Sequence, residues 1–204
     1  MFHFHHLMQQ ISRSRPGAPR PRSRRTALAL LVLLGSATAS AQVPADAQAT
    51  LLLRILAFDR KLPDRAHGTV KIAIVYREGD GSAEEIASAL DELAKKNSVS
   101  GMPVKALRVP FTGASRLESE LTKGGVAAAY LCPGLDDAIA AISRLAQSKG
   151  ILTFTATRSY VNGGASVALV RKEAKVGIVV HLANSRAEGA DLDSGLLRIA
   201  EVLR

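Results

Sequence analysis

The sequence predicts an α/β domain of three layers, with a mostly parallel sheet, an antiparallel hairpin at the sheet edge and terminal helices packed on it. Two observations predict this class. Short apolar runs rich in β-branched residues alternate with segments of helical periodicity over residues 45–160, which is typical of βαβ units. After residue 160, two strand-like runs follow each other too closely to enclose a crossover helix, which indicates a hairpin.

Three elements are predicted at the start of the domain. A helix spans residues 45–58, because leucines and isoleucines recur there at helical spacing. The run 70–76 is nearly all apolar, which is typical of a strand covered on both faces. A second helix runs from Ser82 to about Asn97, and Ser82 and Glu85 have the spacing of a capping box.

The alternation of strand and helix continues to residue 155. Ser115 and Glu118 are predicted to cap a short helix that ends at Leu121. Asp136 is predicted to open a longer helix, which Gly150 ends. Apolar runs predict buried strands at 104–109, 126–131 and 151–155. Successive strands joined by helices favour a parallel sheet with helices on both faces.

The C-terminal part has a different order of elements. Strands at 165–170 and 175–180 are separated by only a tight turn, so they form the predicted hairpin. A short helix is predicted at 182–188. Asp193 is predicted to cap a last helix, whose apolar residues extend to Leu203.

Residues 1–41 have the pattern of a secretory signal peptide. Six arginines and no acidic residue come first, an apolar run occupies 27–34, and Ala39-Ser40-Ala41 forms an A-x-A cleavage site. The apolar run is far shorter than the roughly 20 residues that a membrane-spanning helix needs. We therefore expect cleavage after Ala41 and an exported domain over residues 42–204 that works outside the cytoplasm.

The charge balance of that domain argues against a nucleic-acid partner. Removal of the six leader arginines leaves 21 basic residues against 18 acidic residues, so the net charge falls from +9 to +3. No run of lysine and arginine marks a face that could follow phosphates. Cys132 is the only cysteine, so an internal disulfide is impossible, whereas pairing with a second copy leaves a homodimer open.

The loops after the predicted parallel strands are the candidate ligand site. Ligands of open parallel sheets bind beyond the carboxyl ends of the strands. At this edge the chain offers hydroxyl groups and a guanidinium that could bind a carboxylate or phosphate of an unidentified small ligand: Ser82, Thr112, Thr155, Arg158 and Ser159. The competing interpretation is that these residues belong to solvated loops and that Ser82 only caps its helix.

No catalytic, metal or cofactor site is predicted. His67 and His181 are the histidines of the domain, and neither is spaced with other ligand-type residues as a metal site requires. His181 ends a strand and is a candidate ligand or partner contact, and a structural hydrogen bond to the next turn is favoured for it over proton transfer. Cys132 is expected to be a small apolar core residue. The helix at 45–58 has more leucine and isoleucine than one buried stripe needs, so either it is fully packed or one side contacts a partner or a second copy.

A series of motifs near the C-terminus carries a family resemblance. They are Gly150-Ile151-Leu152 at the start of a strand, Gly163-Gly164 before the hairpin, the strand that ends in His181, and Leu196-Leu197 in the last helix. In this order and spacing they resemble the YfiR-like family, whose members carry a "GGmI" hairpin motif and a final "LLrlA" helix. The N-terminal helix also fits, so the resemblance covers essentially the whole predicted domain.

The resemblance implies a periplasmic, non-enzymatic sensor or regulator. Its implied partner is a membrane signalling protein, either a receptor or a diguanylate cyclase that the protein represses through the cyclase's periplasmic segment. The alternative is a periplasmic solute-binding module that captures a small molecule at the strand ends. The chain departs from the family pattern at Gly177 and His181, where the family has arginine and asparagine, and it has no tryptophan after the first helix.

Overall fold

Seven strands form one sheet in the computed structural model, which describes residues 43–173 and 175–204. The predicted signal peptide lies outside these residues. In chain order the strands are β1 (Val70–Tyr76), β2 (Val104–Pro110), β3 (Ala128–Leu131), β4 (Leu152–Thr155), β5 (Val167–Lys172), β6 (Lys175–His181) and β7 (Glu201–Leu203). The helices are α1 (Ala45–Ala57), α2 (Leu62–Ala66), α3 (Ser82–Ala94), α4 (Ala114–Gly124), α5 (Ile139–Lys149), α6 (Ser159–Asn162), α7 (Leu182–Ala187) and α8 (Ser194–Ile199).

The strand order in the sheet is β2-β1-β3-β4-β5-β6-β7. Neighbouring strands from β2 through β1, β3 and β4 to β5 are parallel to one another, and β5 and β6 form an antiparallel hairpin. The predicted fold class, a mostly parallel α/β sheet with one antiparallel hairpin, is therefore confirmed. The carboxyl ends of β1, β3 and β4 lie together at one edge of the sheet, because these strands are adjacent and parallel.

Helices cover both faces of the sheet, as the apolar strands require. On β1, Ile72 and Ile74 belong to the core under α1 and α3, whereas Ala73 and Val75 belong to the core under α4 and α5. Successive side chains of a strand point to opposite faces, so a strand that is buried on both faces reads as a continuous apolar run. Leu52 of α1 is fully buried in the first of these two cores.

The C-terminal helix is shorter than predicted. Helix α8 ends at Ile199, Ala200 has an extended backbone, and β7 pairs in parallel with β6. The prediction of helix as far as Leu203 is therefore wrong, and β7 lies outside the hairpin as the last strand of the sheet. The Glu201 carboxylate binds Lys172 at 2.6 Å and also Arg158, and these ion pairs hold the segment against the sheet.

Two predicted capping boxes are absent from the described part of the chain. Ser82 is the first residue of α3, and its backbone N–H donates to Asp80 Oδ1 at 2.9 Å, so Asp80 supplies the side-chain acceptor. Helix α4 begins at Ala114, one residue before the predicted cap at Ser115, and its cap residue Gly113 has no side chain. The predicted cap at Asp193 is confirmed, since its side chain accepts from the backbone N–H of Gly195 at 2.6 Å.

The helices also bear on membrane insertion. Among residues 43–173 and 175–204, no helix combines the length and the apolar character that crossing a bilayer requires.

Candidate ligand and partner sites

A small cavity lies at the carboxyl edge of the sheet, where α1 and α3 begin. Its volume is about 160 Å³. We call it the strand-end cavity, and its lining residues are Val43, Pro44, Ala45, Gln48, Ser82, Glu85, Ile86, Tyr130, Pro133 and Ala156. It brings together the loops that follow β1, β3 and β4, which is where the sequence places a ligand site.

Two buried polar side chains form the inner wall of the strand-end cavity. Tyr130 on β3 is 2% exposed and Gln48 on α1 is 6% exposed. The Tyr130 hydroxyl donates to Gln48 Oε1, and Gln48 Nε2 donates to the carbonyl of Val43. Burial raises the pKa of the Tyr130 phenol, and the Asp80 charge acts in the same direction. The phenol is therefore protonated and fixes the first turn of α1 on the sheet.

Asp80 and Ser82 provide oxygen atoms beside this wall. Asp80 Oδ2 and Ser82 Oγ are buried, and neither accepts a hydrogen bond from a described residue. Burial raises the pKa of the nearby Cys132 thiol to about 12, and the Asp80 charge contributes to this rise. The Ser82 hydroxyl lowers this pKa by hydrogen bonding to the sulfur. The Cys132 thiol is buried, as expected for the small apolar core residue that the sequence indicated, and burial together with its raised pKa disfavours the nucleophilic thiolate.

Arg77, the first residue after β1, joins the loops on the other side of the same edge. Its Nε donates to the Gly134 carbonyl at 2.8 Å, and an Nη pairs with the Asp137 carboxylate at 2.6 Å. Its guanidinium carbon lies 5.4 Å from the centre of the Phe111 ring. Arg77 therefore ties together the loops after β1, β2 and β3, a role that needs the strand order and was not visible in the sequence.

The remaining candidates at the strand ends have other surroundings. The Thr155 hydroxyl is fully buried, donates to the Leu131 carbonyl at 3.0 Å and accepts from the Thr157 backbone at 3.0 Å. Arg158 is paired with Glu201 of β7. Ser159 and Thr112 are exposed, and neither lines the strand-end cavity. Of the five predicted strand-end residues, Ser82 alone lines that cavity.

His181 lies at the opposite edge of the sheet, because β6 runs antiparallel to β5. It is the cap residue of α7, and its Nδ1 accepts from the Asn184 backbone at 3.4 Å. This is the hydrogen bond to the following turn that the sequence favours for His181.

The family-motif residues have packing roles. A Cβ added at Gly163 would lie 2.6 Å from Ile139 Cγ2, and one at Gly164 would lie 2.7 Å from Ser143 Cβ, so the glycines let this turn approach α5 closely. Gly164 also has a φ of +117°, which side-chain-bearing residues rarely adopt. Leu196 is buried in the core, and Leu197 packs against it.

A buried acidic network at the amino edge of the sheet was not indicated by the sequence. Glu188 is fully buried, and both of its carboxyl oxygens accept hydrogen bonds. Oε2 accepts from the Thr153 backbone N–H at 2.9 Å and from the Ser166 hydroxyl. Oε1 accepts from the Thr153 hydroxyl at 2.7 Å. Burial raises the pKa of Glu188 to about 7, against these hydrogen bonds and the charge of Arg65. Arg65 pairs with the buried Asp59 and donates to the Gly150 carbonyl at 2.9 Å.

An apolar groove lies on the surface where the C-terminal end of α1 meets β6 and α8. Its volume is about 450 Å³, and its lining residues are Leu51, Arg54, Ile55, Ala57, Phe58, Ile178, Leu196 and Ile199. Phe58 is 40% exposed and Ile199 is 72% exposed. On α1, Leu52 and Leu56 are packed in the core, while Leu51, Arg54 and Ala57 border this groove. A contact of α1 with a partner or a second copy stays a prediction.

Metal-ligating side chains are dispersed. Among the residues that the structure describes, no group of three or more His, Cys, Asp or Glu side chains is placed to hold a metal ion.

Comparisons with known proteins bear on both family and fold. A model of the YfiR/HmsC-like family matches residues 45–201. No curated protein sequence matches the chain significantly. The chain is similar in structure to a conserved domain protein from Vibrio cholerae O1 biovar El Tor, with 17% identity and a TM-score of 0.57 over 79% of this chain and 60% of that one.

Two further solved structures have the same kind of likeness. One is an ABC domain in complex with L-Trp from Streptococcus pneumoniae (15% identity, TM-score 0.56, 79% of this chain and 60% of that one). The other is CD0873, a substrate binding protein with adhesive properties from Clostridium difficile (15% identity, TM-score 0.54, 71% of this chain and 57% of that one). The chain thus spans about three fifths of the length of these structures, and at such identities the likeness establishes the fold alone.

Proposed function

The chain belongs to the YfiR/HmsC-like family, and we propose on this basis that it is a periplasmic, non-enzymatic regulator that binds a membrane signalling protein. The family match over residues 45–201 is the observation that carries the proposal, because it spans nearly all of the described domain. The signal-peptide pattern of residues 1–41 supports export. The partner we propose is a diguanylate cyclase, which the protein represses by binding its periplasmic segment.

The apolar groove is the surface we assign to this partner. Phe58 and Ile199 are the large apolar side chains exposed on the described surface, and both line the groove. Arg54 at its rim makes no ion pair with another described residue. A segment that places aliphatic or aromatic side chains in the groove and a carboxylate near Arg54 would match its shape and charge.

Capture of the partner tests the proposal. The protein is expressed from its full-length gene in its native host, recovered with the envelope after mild crosslinking, and identified with its partners by mass spectrometry. We expect a membrane protein that has a periplasmic segment and a cytoplasmic signalling domain. Recovery of the protein without such a partner would contradict the regulatory role.

A pair of surface variants tests the assigned groove. Ile199→Asp places a charge in the groove at a position that is 72% exposed, so the fold is expected to be retained while capture of the partner is lost. Ala140→Asp adds the same charge at an exposed position of α5 outside the groove and serves as the matched control. Equal capture by both variants would place the contact elsewhere on the domain.

The level of cyclic di-GMP tests the identity of the partner. Deletion of the gene is expected to raise cellular cyclic di-GMP, and the wild-type gene, but not its Ile199→Asp variant, is expected to restore the low level. An unchanged level in the deletion strain would exclude the repression of a cyclase, while a captured receptor would still support a regulator of another kind.

A second candidate function is that of a periplasmic solute-binding module. The strand-end cavity favours it, because ligands of open parallel sheets bind beyond the carboxyl ends of the strands. CD0873, whose fold is similar, is a substrate binding protein. Capture of a permease in the crosslinking experiment, together with a ligand that raises the melting temperature, would favour this function over the regulator.

A further inference from the structure

Residues 58–60 and 191–193 form a short antiparallel bridge between two walls of the apolar groove. The Phe58 carbonyl accepts from the Asp193 backbone N–H at 2.9 Å. We call these two segments the groove clip. One segment follows α1 and the other leads directly into α8, which contributes Ile199 to the groove. The clip therefore helps to hold α8 in position against α1.

The carboxylate of Asp59 fixes the groove clip from the interior of the domain. The side chain of Asp59 is fully buried. Its Oδ1 accepts from the backbone N–H of Asp191 at 2.9 Å, across the clip, and from that of Lys61 at 3.1 Å. Its Oδ2 pairs with Arg65. A buried carboxylate that loses its cation is strongly destabilised, so the clip depends on this ion pair.

Glu188 is a second buried carboxyl group beside Arg65. A Cβ added at Gly189, the residue after Glu188, would lie 3.5 Å from Arg65 Cδ, so the Arg65 side chain runs next to this part of the chain. Arg65 Nε is bonded to the same carbon, and it is buried without a partner among the described residues. The cluster thus has one guanidinium for two carboxyl groups, and that guanidinium is paired with Asp59 while one of its donors is unused.

The remaining charged groups around Glu188 point to Arg65 as its electrostatic partner. Strands β4 and β5 face it with the neutral groups of Thr153 and the adjoining Ser166. His181 begins α7, and its Nδ1 accepts from the Asn184 backbone. Other charged or titratable side chains of the surrounding elements are exposed: Asp64 on α2, His67 at its end, Lys149 on α5 and Arg186 on α7. The charge of Arg65 lowers the pKa of Glu188, against the larger effect of burial.

The surroundings of Glu188 accommodate both of its protonation states. The Ser166 hydroxyl donates to the carboxylate, and after a rotation it can accept from the protonated acid. Titration of Glu188 therefore leaves the hydrogen bonds of the network in place and changes its charge. Ionisation adds a second buried negative charge next to a single guanidinium, and such a charge is costly unless a cation pairs with it.

From this arrangement we propose that Glu188 and Arg65 form a pH-sensitive switch that controls the groove clip. While Glu188 is protonated, the Arg65 guanidinium stays on Asp59 and the clip is closed. When Glu188 is ionised, its charge draws the guanidinium away from Asp59, and the clip opens more readily. Burial raises the pKa of Glu188 to about 7, so the clip is most stable in acid and is loosened as the pH rises through neutrality.

The switch acts on the surface that we assign to the partner. Opening of the clip frees α8 from α1, and the groove loses the wall that carries Ile199. A partner that binds the closed groove shifts the equilibrium toward the closed clip, and its affinity falls when the clip is loosened. Weaker capture of the partner at higher pH rests on the proposed function, whereas opening of the clip does not.

Hydrogen exchange of backbone amides measures opening of the clip. The protein, purified from its host after expression of the full-length gene, is studied from about pH 5 to about pH 8, and each rate is corrected for the intrinsic exchange rate at that pH. The amides of Arg60, Asp191 and Asp193 donate hydrogen bonds within the clip and report its opening. We expect their protection to fall at least about tenfold across this interval, while amides of α5 keep theirs. Constant protection in the clip would overturn the proposal.

Three variants assign the pH dependence to Glu188. Glu188→Gln should keep the clip protected throughout the interval, because it cannot ionise. Ser166→Ala removes a donor to the carboxylate, so the loss of protection should move to higher pH; this second variant tests the switch even if the first fails to fold. Glu78→Gln makes the same charge change at an exposed position beyond the carboxyl end of β1 and should behave as the wild type. An unmoved midpoint in Ser166→Ala, or a wild-type fall in Glu188→Gln, would overturn the assignment.

Capture of the membrane partner at both ends of the interval tests the consequence for binding. The wild type and Glu188→Gln should capture the partner equally at about pH 5, and the wild type should capture less of it at about pH 8. Equal capture at both pH values would disconnect the switch from the partner. Failure to capture any partner would contradict the proposed function, and the exchange measurement on the isolated protein would still decide whether the clip opens.

Discussion

Replacing Glu188 with Gln is expected to remove one component of the pH dependence of stability. Glu188 is fully buried, and burial raises the pKa of its carboxyl from 4.5 to about 7. Gln has nearly the same shape and no charge, and its amide oxygen can still accept from the Thr153 backbone, as Glu188 does now. The variant therefore isolates the titration of this carboxyl from the packing around it.

The sign and size of the effect follow from proton linkage. The folded state holds the Glu188 proton more tightly than the unfolded state, so its contribution to stability is full below pH 4.5 and is lost as the pH rises to about 7. The difference between 4.5 and about 7, at about 1.4 kcal/mol for each pKa unit, corresponds to roughly 3 kcal/mol. The wild-type protein should lose up to this amount relative to Glu188→Gln across that interval.

Urea denaturation of both proteins at a series of pH values measures the effect. The quantity of interest is the difference between their free energies of unfolding, because other titrating groups contribute equally to both. Two parallel curves would show that Glu188 does not titrate in this range. A wild type that gains stability relative to the variant as the pH rises would show that the hydrogen bonds from Thr153 and Ser166 outweigh burial and hold the carboxylate ionised.

Three further predictions concern packing, and the first two are measured by urea denaturation. Gly164→Ala should lower the free energy of unfolding by about 1–3 kcal/mol, because its Cβ would lie 2.7 Å from Ser143 Cβ at a φ of +117°. Gly134→Ala is the control, since Gly134 also has a positive φ, +79°, but a Cβ there would meet open space, so this variant should lose less stability. Equal losses in the two variants would contradict the close approach at Gly164. Leu52→Ala should cost about 2–5 kcal/mol, since Leu52 is fully buried, and a negligible cost would contradict the packing of α1. The Cys132 thiol should react with a thiol reagent only after unfolding, because it is buried and its pKa is raised to about 12; rapid reaction of the folded protein would contradict its burial.

The sequence predicts the parallel part of the fold well, because each helix and strand there is long enough for the spacing of its apolar residues to be recognised. The run 70–76 is apolar throughout, and β1 is indeed covered on both faces. The segment from Glu201 to Leu203 is too short for periodicity to separate strand from helix. Its conformation depends on contacts with Arg158 and Lys172, which are distant in sequence. Tertiary contacts of this kind override local pattern at the sheet edge.

The sites were only partly predictable for a related reason. Ser82 stands out because a polar residue after a strand is visible in the sequence. Tyr130 and Gln48 lie within an apolar strand and an apolar helix, so their pattern indicates core positions, and only the packing of α1 on the sheet brings them to Ser82. In the sequence, Glu188 has the position expected of a solvent-exposed residue near the end of a short helix. Its burial requires Thr153 and Ser166 from two other segments, which sequence spacing does not reveal.

Buried polar atoms at the two edges of the sheet are satisfied to different degrees. At the amino edge, both oxygens of Glu188 accept hydrogen bonds, while Nε of Arg65 in the same network is buried without a partner in the described part of the chain. At the carboxyl edge, Ser82 Oγ and Asp80 Oδ2 are buried, and neither accepts a hydrogen bond from a described residue. Leaving a buried polar atom unpaired is unfavourable, so the hydrogen bonds that satisfy Glu188 stabilise the fold. Unpaired atoms occur at both edges, and such an atom alone therefore does not identify a binding site.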